Sequence, residues 1–450
     1  MKVIKHISPK KLRGGFYTPE PIAKFILKWG INGNSPFDIL EPSCGDGVFI
    51  KHLEEHNHNL NTITAVELDS AEARKADDIE LKNKTVINTD FHLYCNMTKK
   101  RFDFIVGNPP YIRYQYFDKS QQKEAAEIFE KAGLKYTKLT NAWVSFVVGS
   151  SLLLKERGKI GFVLPAEVLQ VSYAKQLREY LACFYNKINI ISFKKLVFPD
   201  IQQEVVLLLC EKNGTSSHLI EHLELTDASE LETLDIEKVK SPKKKIDFKS
   251  NKWTFYFLEQ EEINFLENIG KKKSIPQIAD YAKVEVGITT GANSYFTVPL
   301  PVVENYNLQE FAKPMVGRSV QIDSIIFNER DWQQNRLTKA RSHLLIFPRK
   351  KELNGHKGAE SYISMGESTG VDKGYKTGIR EDWFVIPSIR QSEALFIRRN
   401  NLYPKLILNE VGAYTTDTMH RVFVKTTTNI KAFVASFYNS LSLAFSEISG

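Results

Sequence analysis

At 450 residues the chain exceeds what one hydrophobic core ordinarily serves, so two domains are expected. Its 42% hydrophobic and 25% charged residues are ordinary globular values, and a net charge of +8 makes a polyanion a fitting partner. Cys44, Cys95, Cys183 and Cys210 lie far apart without a CxxC pair, which argues against a disulfide framework and gives no zinc signal.

The N-terminus, "MKVIKHISPKKLRGG", lacks the apolar core of a signal peptide. A series of buried strands follows: "FDILEPSC", "TITAVELD", "TVINTDF" and "RFDFIVGNPP" are apolar runs closed by polar or glycine punctuation. "KIGFVLP", "INIISF" and "EVVLLLCEK" continue it, and helical stretches such as "YAKQLREYLACF" between them predict a mostly parallel α/β sheet. The run "AWVSFVVGSSLLL" is too short to span a bilayer and carries serines and a glycine, so it predicts a buried helix and a soluble, cytoplasmic protein. Only about ten residues separate the last two strands, too few for a helical crossover, so they are expected to be antiparallel neighbours. From Lys212 to Trp253 the sequence is polar, weakly periodic and rich in lysine, as expected of a tether or a weakly packed connection. Beyond it the chain is apolar and aromatic again without a βα rhythm, which predicts a second, irregular α/β or β-rich domain; the boundary is set at 245/246.

Chemistry gathers at the ends of the first four strands, where open α/β sheets hold their ligands. "ILEPSCGDGVF" places Glu41 at the first strand end and Gly45 and Gly47 in the turn beyond it. Such a turn either admits a ligand close to the backbone or is an ordinary tight turn. The second strand ends in "AVELD", where Glu67 is placed to accept from ribose hydroxyls. The third ends in "NTDF", where Asp90 can accept from an adenine amino group while Phe91 covers the ring. Without a GxxxxGK[ST] loop, the ligand should be a nucleoside-like cofactor lacking phosphates. The fourth strand stops hard at "NPPY". An exocyclic amine on an aromatic base is a poor nucleophile because its lone pair is delocalised. The Asn108 side-chain oxygen and the Pro109 carbonyl can accept its hydrogens and favour the reactive pyramidal form, while Tyr111 offers a stacking face.

In the order of these motifs, residues 14–211 resemble the gamma-class, TaqI-type DNA adenine-N6 methyltransferases of type II restriction-modification systems. The resemblance implies a class I S-adenosylmethionine-dependent methyltransferase fold, with a Rossmann-like, seven-stranded, mostly parallel sheet and a C-terminal mixed α/β target recognition domain. It implies S-adenosyl-L-methionine as cofactor and transfer of its methyl to N6 of an adenine flipped from double-stranded DNA. "GGFYTPEPIAKFIL" would bring Tyr17 and Thr18 near the methionine end. Glu41, Ser43, Gly45, Gly47, Glu67, Leu68, Asp90, Phe91, Asn108 and Pro110 would contact the cofactor. Asn108, Pro109, Pro110 and Tyr111 form the catalytic motif, and Phe198, in "VFPDIQQEVVLLL", would pack with Tyr111 against the adenine. No metal is required, because the sulfonium is already an activated leaving group. A monomer is expected, with a separately encoded restriction endonuclease sharing its target.

Tyr114, Tyr116 and Phe117 either line the DNA cleft or pack in the core. "KSPKKK" (240–245) and "KKK" (271–273) can contact phosphates, although a solvated surface is the better reading of either run alone. From Arg336 to Lys425 there are 16 Lys/Arg against 9 Asp/Glu, a basic bias suited to phosphate neutralisation. Three other readings compete: an RNA adenine-N6 methyltransferase, a protein glutamine methyltransferase, and a catalytically retired DNA-binding methylase fold.

Overall fold

The computed structural model describes residues 17–32, 36–112, 116–137, 141–198, 203–239, 243–248, 252–353, 355–398 and 403–449. They form two compact units dividing between Glu267 and Asn268. The division lies beyond the 245/246 boundary set from composition because Trp253, Tyr256 and Ile263 are buried in the first unit's core.

The N-terminal unit is built on β1 (Phe37–Glu41), β2 (Leu60–Glu67), β3 (Lys84–Asn88), β4 (Phe102–Gly107), β5 (Leu154–Pro165), β6 (Lys187–Phe193), β7 (Val205–Glu211), β8 (Leu219–Leu225) and β9 (Lys244–Lys245). The sheet order is 3-2-1-4-5-7-6-8-9. Strands β1 to β5 pair in parallel, and β7 is antiparallel to both β5 and β6, as their short connection requires. Nine strands therefore stand where seven were expected. The added pair comes from the stretch read as a tether: "LIEHLEL" forms β8, parallel to β6, with Ile220 and Leu225 buried. Its interspersed His and Glu residues mask the strand signal in the sequence.

Helices cover both faces: α1 (Glu20–Gly30), α2 (Val48–Leu53), α3 (Ser70–Asp77), α4 (Phe91–Met97), α5 (Lys119–Lys131), α6 (Ala142–Leu152) and α7 (Lys175–Phe184). The apolar strand runs divide by parity. Ile39, Phe104, Val106, Leu207 and Leu209 face the layer containing Phe25 and Leu27 of α1. Leu40, Ile105, Val206, Leu208 and Cys210 face the layer containing Trp143 and Val147 of α6. Each such side chain removed from water is worth about 1.5–3 kcal/mol, so a one-residue register slip would expose a whole face. Helix α6 is buried from Ala142 through Ser151, as its predominantly apolar sequence predicts. At the end of the sheet opposite the glycine turn, Lys155 Nζ ties Asp38 (2.6 Å) to Asp103 (2.8 Å), fixing β1 against β4.

The C-terminal unit contains a five-stranded sheet and a three-stranded sheet. The larger runs β10-β17-β15-β16-β13, made of β10 (Ala282–Val286), β13 (Ile326–Phe327), β15 (Ala394–Ile397), β16 (Leu406–Asn409) and β17 (Met419–Val424). The smaller runs β11-β14-β12, made of β11 (Thr297–Val298), β12 (Ala312–Pro314) and β14 (His343–Leu345). An aromatic core around Tyr295, Phe296, Phe347, Tyr362 and Trp383 accompanies the smaller sheet. Among the described residues no helix is long and apolar enough to cross a membrane.

Candidate active site

The C-terminal ends of β1, β2, β3 and β4 open into one cavity of about 650 Å³, the size of a nucleoside-bearing ligand. Of the residues assigned to the cofactor, Tyr17, Thr18, Glu41, Ser43, Gly45, Glu67, Leu68, Asp90, Phe91, Asn108 and Pro110 line it. Gly47 does not; it acts one step back, as the left-handed residue (φ 87°) that starts α2. A Cβ there would meet Ile79 Cδ1 at 2.6 Å, so the position requires glycine.

The glycine turn is held by Glu67. Its Oε2 accepts from the Gly45 N–H at 2.9 Å and its Oε1 from the Asp69 N–H at 2.8 Å, while each oxygen keeps a further lone pair. Cys44 N–H donates to the Val66 carbonyl, pinning the turn to β2. Ser43 Oγ donates to the Asn108 carbonyl at 3.4 Å and links this turn to the NPPY segment. Glu41 is 3% exposed, and its Oε2 has no hydrogen-bond partner among the described residues. Burial above all, and then the charges of Glu67 and Asp46, push its carboxyl well above the usual carboxylate range. Burial also raises Glu67.

Asp90 behaves oppositely. Its Oδ1 caps α4 by accepting from the N–H groups of His92 (2.8 Å) and Leu93 (3.2 Å), and it lies 3.1 Å from His92 Nδ1. Its Oδ2 accepts from Gln121 Nε2 at 3.0 Å. Burial opposes the charge, but the His92, Gln121 and backbone bonds together outweigh it and hold the carboxyl at about 2. His92 Nε2 in turn lies 2.7 Å from Ser145 Oγ. The Phe91 ring lies against Phe146 at 4.8 Å, making an apolar wall.

The two aromatic residues assigned to the adenine are placed differently. Tyr111 packs against both core layers, and its hydroxyl donates to the Val163 carbonyl at 3.3 Å. Phe198 is buried in the layer beneath α1. Neither lines the cavity, and neither does Pro109, whereas Asn108 and Pro110 do. Beside apolar strands a ring loses most water by packing inward, and the tyrosine hydroxyl finds a carbonyl there. Phe117 does line the cavity, its ring 5.6 Å from His92, and Tyr116 is exposed. Tyr114 lies outside the described residues. Of the lysine run 240–245, Lys244 is buried and donates to the Tyr256 carbonyl, and Lys243 pairs with Glu221. Lys244 is therefore structural, Lys243 and Lys245 are exposed, and Lys240 lies outside the described residues.

Sequence reasoning missed His92, Gln121 and Phe146. His92 adjoins "TDF", but Gln121 and Phe146 sit on helices whose approach to the cavity only packing decides.

Residues 31–198 match the family described as Eco57I restriction-modification methylase, and residues 250–450 match the type II methyltransferase M.Eco57I C-terminal domain. Over both matched stretches the chain is similar to type II restriction-modification methyltransferases. Type II methyltransferase M.AccI of Acinetobacter calcoaceticus is 26% identical over 90% of this chain and 74% of that protein. M.HincII of Haemophilus influenzae is 29% identical over 51% of this chain and 43% of that one. The type IIL restriction-modification enzyme MmeI, solved in complex with DNA, shares the fold with a TM-score of 0.55 at 11% identity, over 96% of this chain and 62% of that one. The methylase's first seven strands, ordered 3-2-1-4-5-7-6 with β7 antiparallel, form the class I S-adenosylmethionine-dependent methyltransferase sheet.

S-adenosylmethionine is accordingly its cofactor, and the cavity's chemistry fits it. The molecule is a nucleoside without phosphates that carries an ammonium and a sulfonium cation. The cavity offers the Glu41 oxygen that has no partner among the described residues, and burial with the charges of Glu67 and Asp46 raises that carboxyl, so a cation fits beside it.

Proposed function

We propose that the methylase transfers a methyl group from S-adenosylmethionine to N6 of an adenine turned out of duplex DNA, at a site-specific target protected thereby from a cognate restriction enzyme. One observation carries this reading: Asn108 and Pro110, at the end of β4, open onto the same cavity as Glu41, Glu67 and Asp90.

In this reading Glu41 takes the cofactor's ammonium end, beside Tyr17 and Thr18. Glu67 accepts from the ribose hydroxyls with the lone pairs that Gly45 and Asp69 leave. Asp90 and Phe91 hold the adenine ring, and Ser43, Leu68 and Pro110 complete the walls. The bound cofactor supplies an activated methyl on a sulfonium.

The Asn108 carboxamide oxygen and the Pro109 carbonyl accept the hydrogens of the target amine and draw its lone pair out of ring conjugation. Proline fixes the backbone that aims the second acceptor. No strong base is needed first, because nitrogen attacks before its proton departs to solvent.

Tyr111 becomes a stacking face by giving up its hydrogen bond to Val163, which costs about 1 kcal/mol, against roughly 1–3 kcal/mol from base stacking. Phe198, buried in the layer beneath α1, reaches the adenine's edge only by turning out of that layer. The N-terminal unit is the catalytic domain and the C-terminal unit the target recognition domain.

The test is incubation with methyl-labelled S-adenosylmethionine and duplex DNA, RNA or protein, followed by nucleoside analysis. N6-methyladenine in duplex DNA is the expected product. N4-methylcytosine, labelled RNA, labelled protein glutamine or no transfer would each refute the reading.

A further inference from the structure

One end of the C-terminal unit is assembled from loops distant in sequence. Thr418 Oγ1 donates to the Gly317 carbonyl at 2.8 Å, and Asn293 Nδ2 donates to Asp417 Oδ1 at 3.1 Å. Arg398 Nη1 donates to the Asp417 carbonyl at 2.8 Å, and Arg380 Nη2 to the Thr290 carbonyl at 2.7 Å. The loop bearing Arg380 is braced from inside: Thr377 is fully buried, its Oγ1 donates to the Val371 and Gly374 carbonyls, and Gly378 N–H donates to the Gly374 carbonyl.

From this braced base stand large apolar side chains that the unit's own core does not use. Tyr375 is 88% exposed, Val320 78% and Ile379 77%. Among them are the exposed cations Arg318, Lys376 and Arg398, and among the described residues none of the three is in an ion pair with a carboxylate. Of the acids on these loops, Asp417 is engaged by Asn293, Glu381 pairs with Arg349, and Asp372 Oδ1 is buried.

Protruding apolar tips between unpaired cations fit neither water nor an apolar protein face. They fit a polyanion whose apolar interior lies within reach of its charged edge, which is the chemistry of a nucleic-acid groove.

We infer that this end of the C-terminal unit is the surface on which duplex DNA lies, with Arg318, Lys376 and Arg398 on phosphates and Tyr375 entering the groove. The inference rests on the reading above that the methylase acts on duplex DNA, and adds which residues hold it.

The test uses the full chain and a fluorescent mixed-sequence duplex, with binding followed by anisotropy across a salt series. In parallel, S-adenosylhomocysteine binding is measured by calorimetry. The double variant Arg318→Ala/Lys376→Ala should lower the slope of log affinity against log salt by about 2 and lose its defect at low salt. Tyr375→Ala should weaken binding about 10-fold at every salt concentration. Lys123→Ala, on the N-terminal unit, should change nothing. All variants should bind S-adenosylhomocysteine like the wild type, which separates lost contact from lost folding. Wild-type binding and methylation of the duplex with both variants unchanged would overturn this surface alone. A wild type that binds cofactor but no duplex, or binds RNA in preference, would overturn the functional reading beneath it.

Discussion

The Glu67 carboxylate grips the backbone of Gly45: its Oε2 accepts from that N–H at 2.9 Å, while its other oxygen accepts from Asp69 at 2.8 Å. The acid proposed to bind the ribose thus also shapes the turn beside it. Glu67→Ala removes both anchors, so the turn loosens as well as losing an acceptor. Affinity for S-adenosylhomocysteine should fall by about 10-fold or more in a calorimetric titration. An affinity within about twofold of the wild type would exclude this double role.

Glu41 stores the opposite kind of tension. Its carboxyl is raised well above its ordinary value of 4.5, chiefly by burial, so its contribution to stability is present below that value and is lost as pH rises through the raised one. Glu41→Gln should therefore raise Tm at pH 8 and leave it nearly unchanged at pH 4. The same substitution should weaken cofactor binding. For the wild type, affinity should climb with pH as the proton leaves, and calorimetry in two buffers of different ionisation enthalpy should detect its release on binding. A pH-independent affinity would remove Glu41 from the cation's partners.

Asn108→Ala removes one of the two acceptors proposed for the target amine and leaves the β1, β2 and β3 ends intact. Methylation should fall about 10²-fold or more while S-adenosylhomocysteine still binds. Unchanged turnover would end the catalytic assignment.

Asp90 is held at about 2, against an ordinary value of 3.8. Its stabilising contribution is present above the ordinary value and disappears as pH falls through about 2. Chemical unfolding of the wild type and Asp90→Asn should differ by a constant amount above pH 5, and the gap should close between about pH 4 and pH 2. A gap of the same size at pH 2 would show that its bonds to His92 and Gln121 do not depend on the charge.

Much of this protein was legible in the order of its residues. Buried parallel strands must be almost wholly apolar, so "FDFIVG" and "VVLLLC" announce themselves, and the polar residues that stop them must stand at the sheet's edge. That is why the sequence alone groups Glu41, Glu67, Asp90 and Asn108, which line one cavity. The strand "LIEHLEL" was not legible, because its His and Glu residues break the apolar pattern and imitate a connection.

The sequence by itself determined the first seven strands of the sheet, its ligand-bearing end and the kind of ligand that end accepts, since these follow from local periodicity and from which groups tolerate a strand terminus. Tertiary structure alone decided that Gln121 reaches Asp90, that Glu67 braces the turn it faces, and that Tyr111 and Phe198 turn into the core. It also decided which of many cations, Arg318, Lys376 and Arg398 among them, share one end of the second unit. A side chain's partners across tens or hundreds of residues depend on how helices and loops pack, and packing is a property of the whole chain rather than of any short stretch of it.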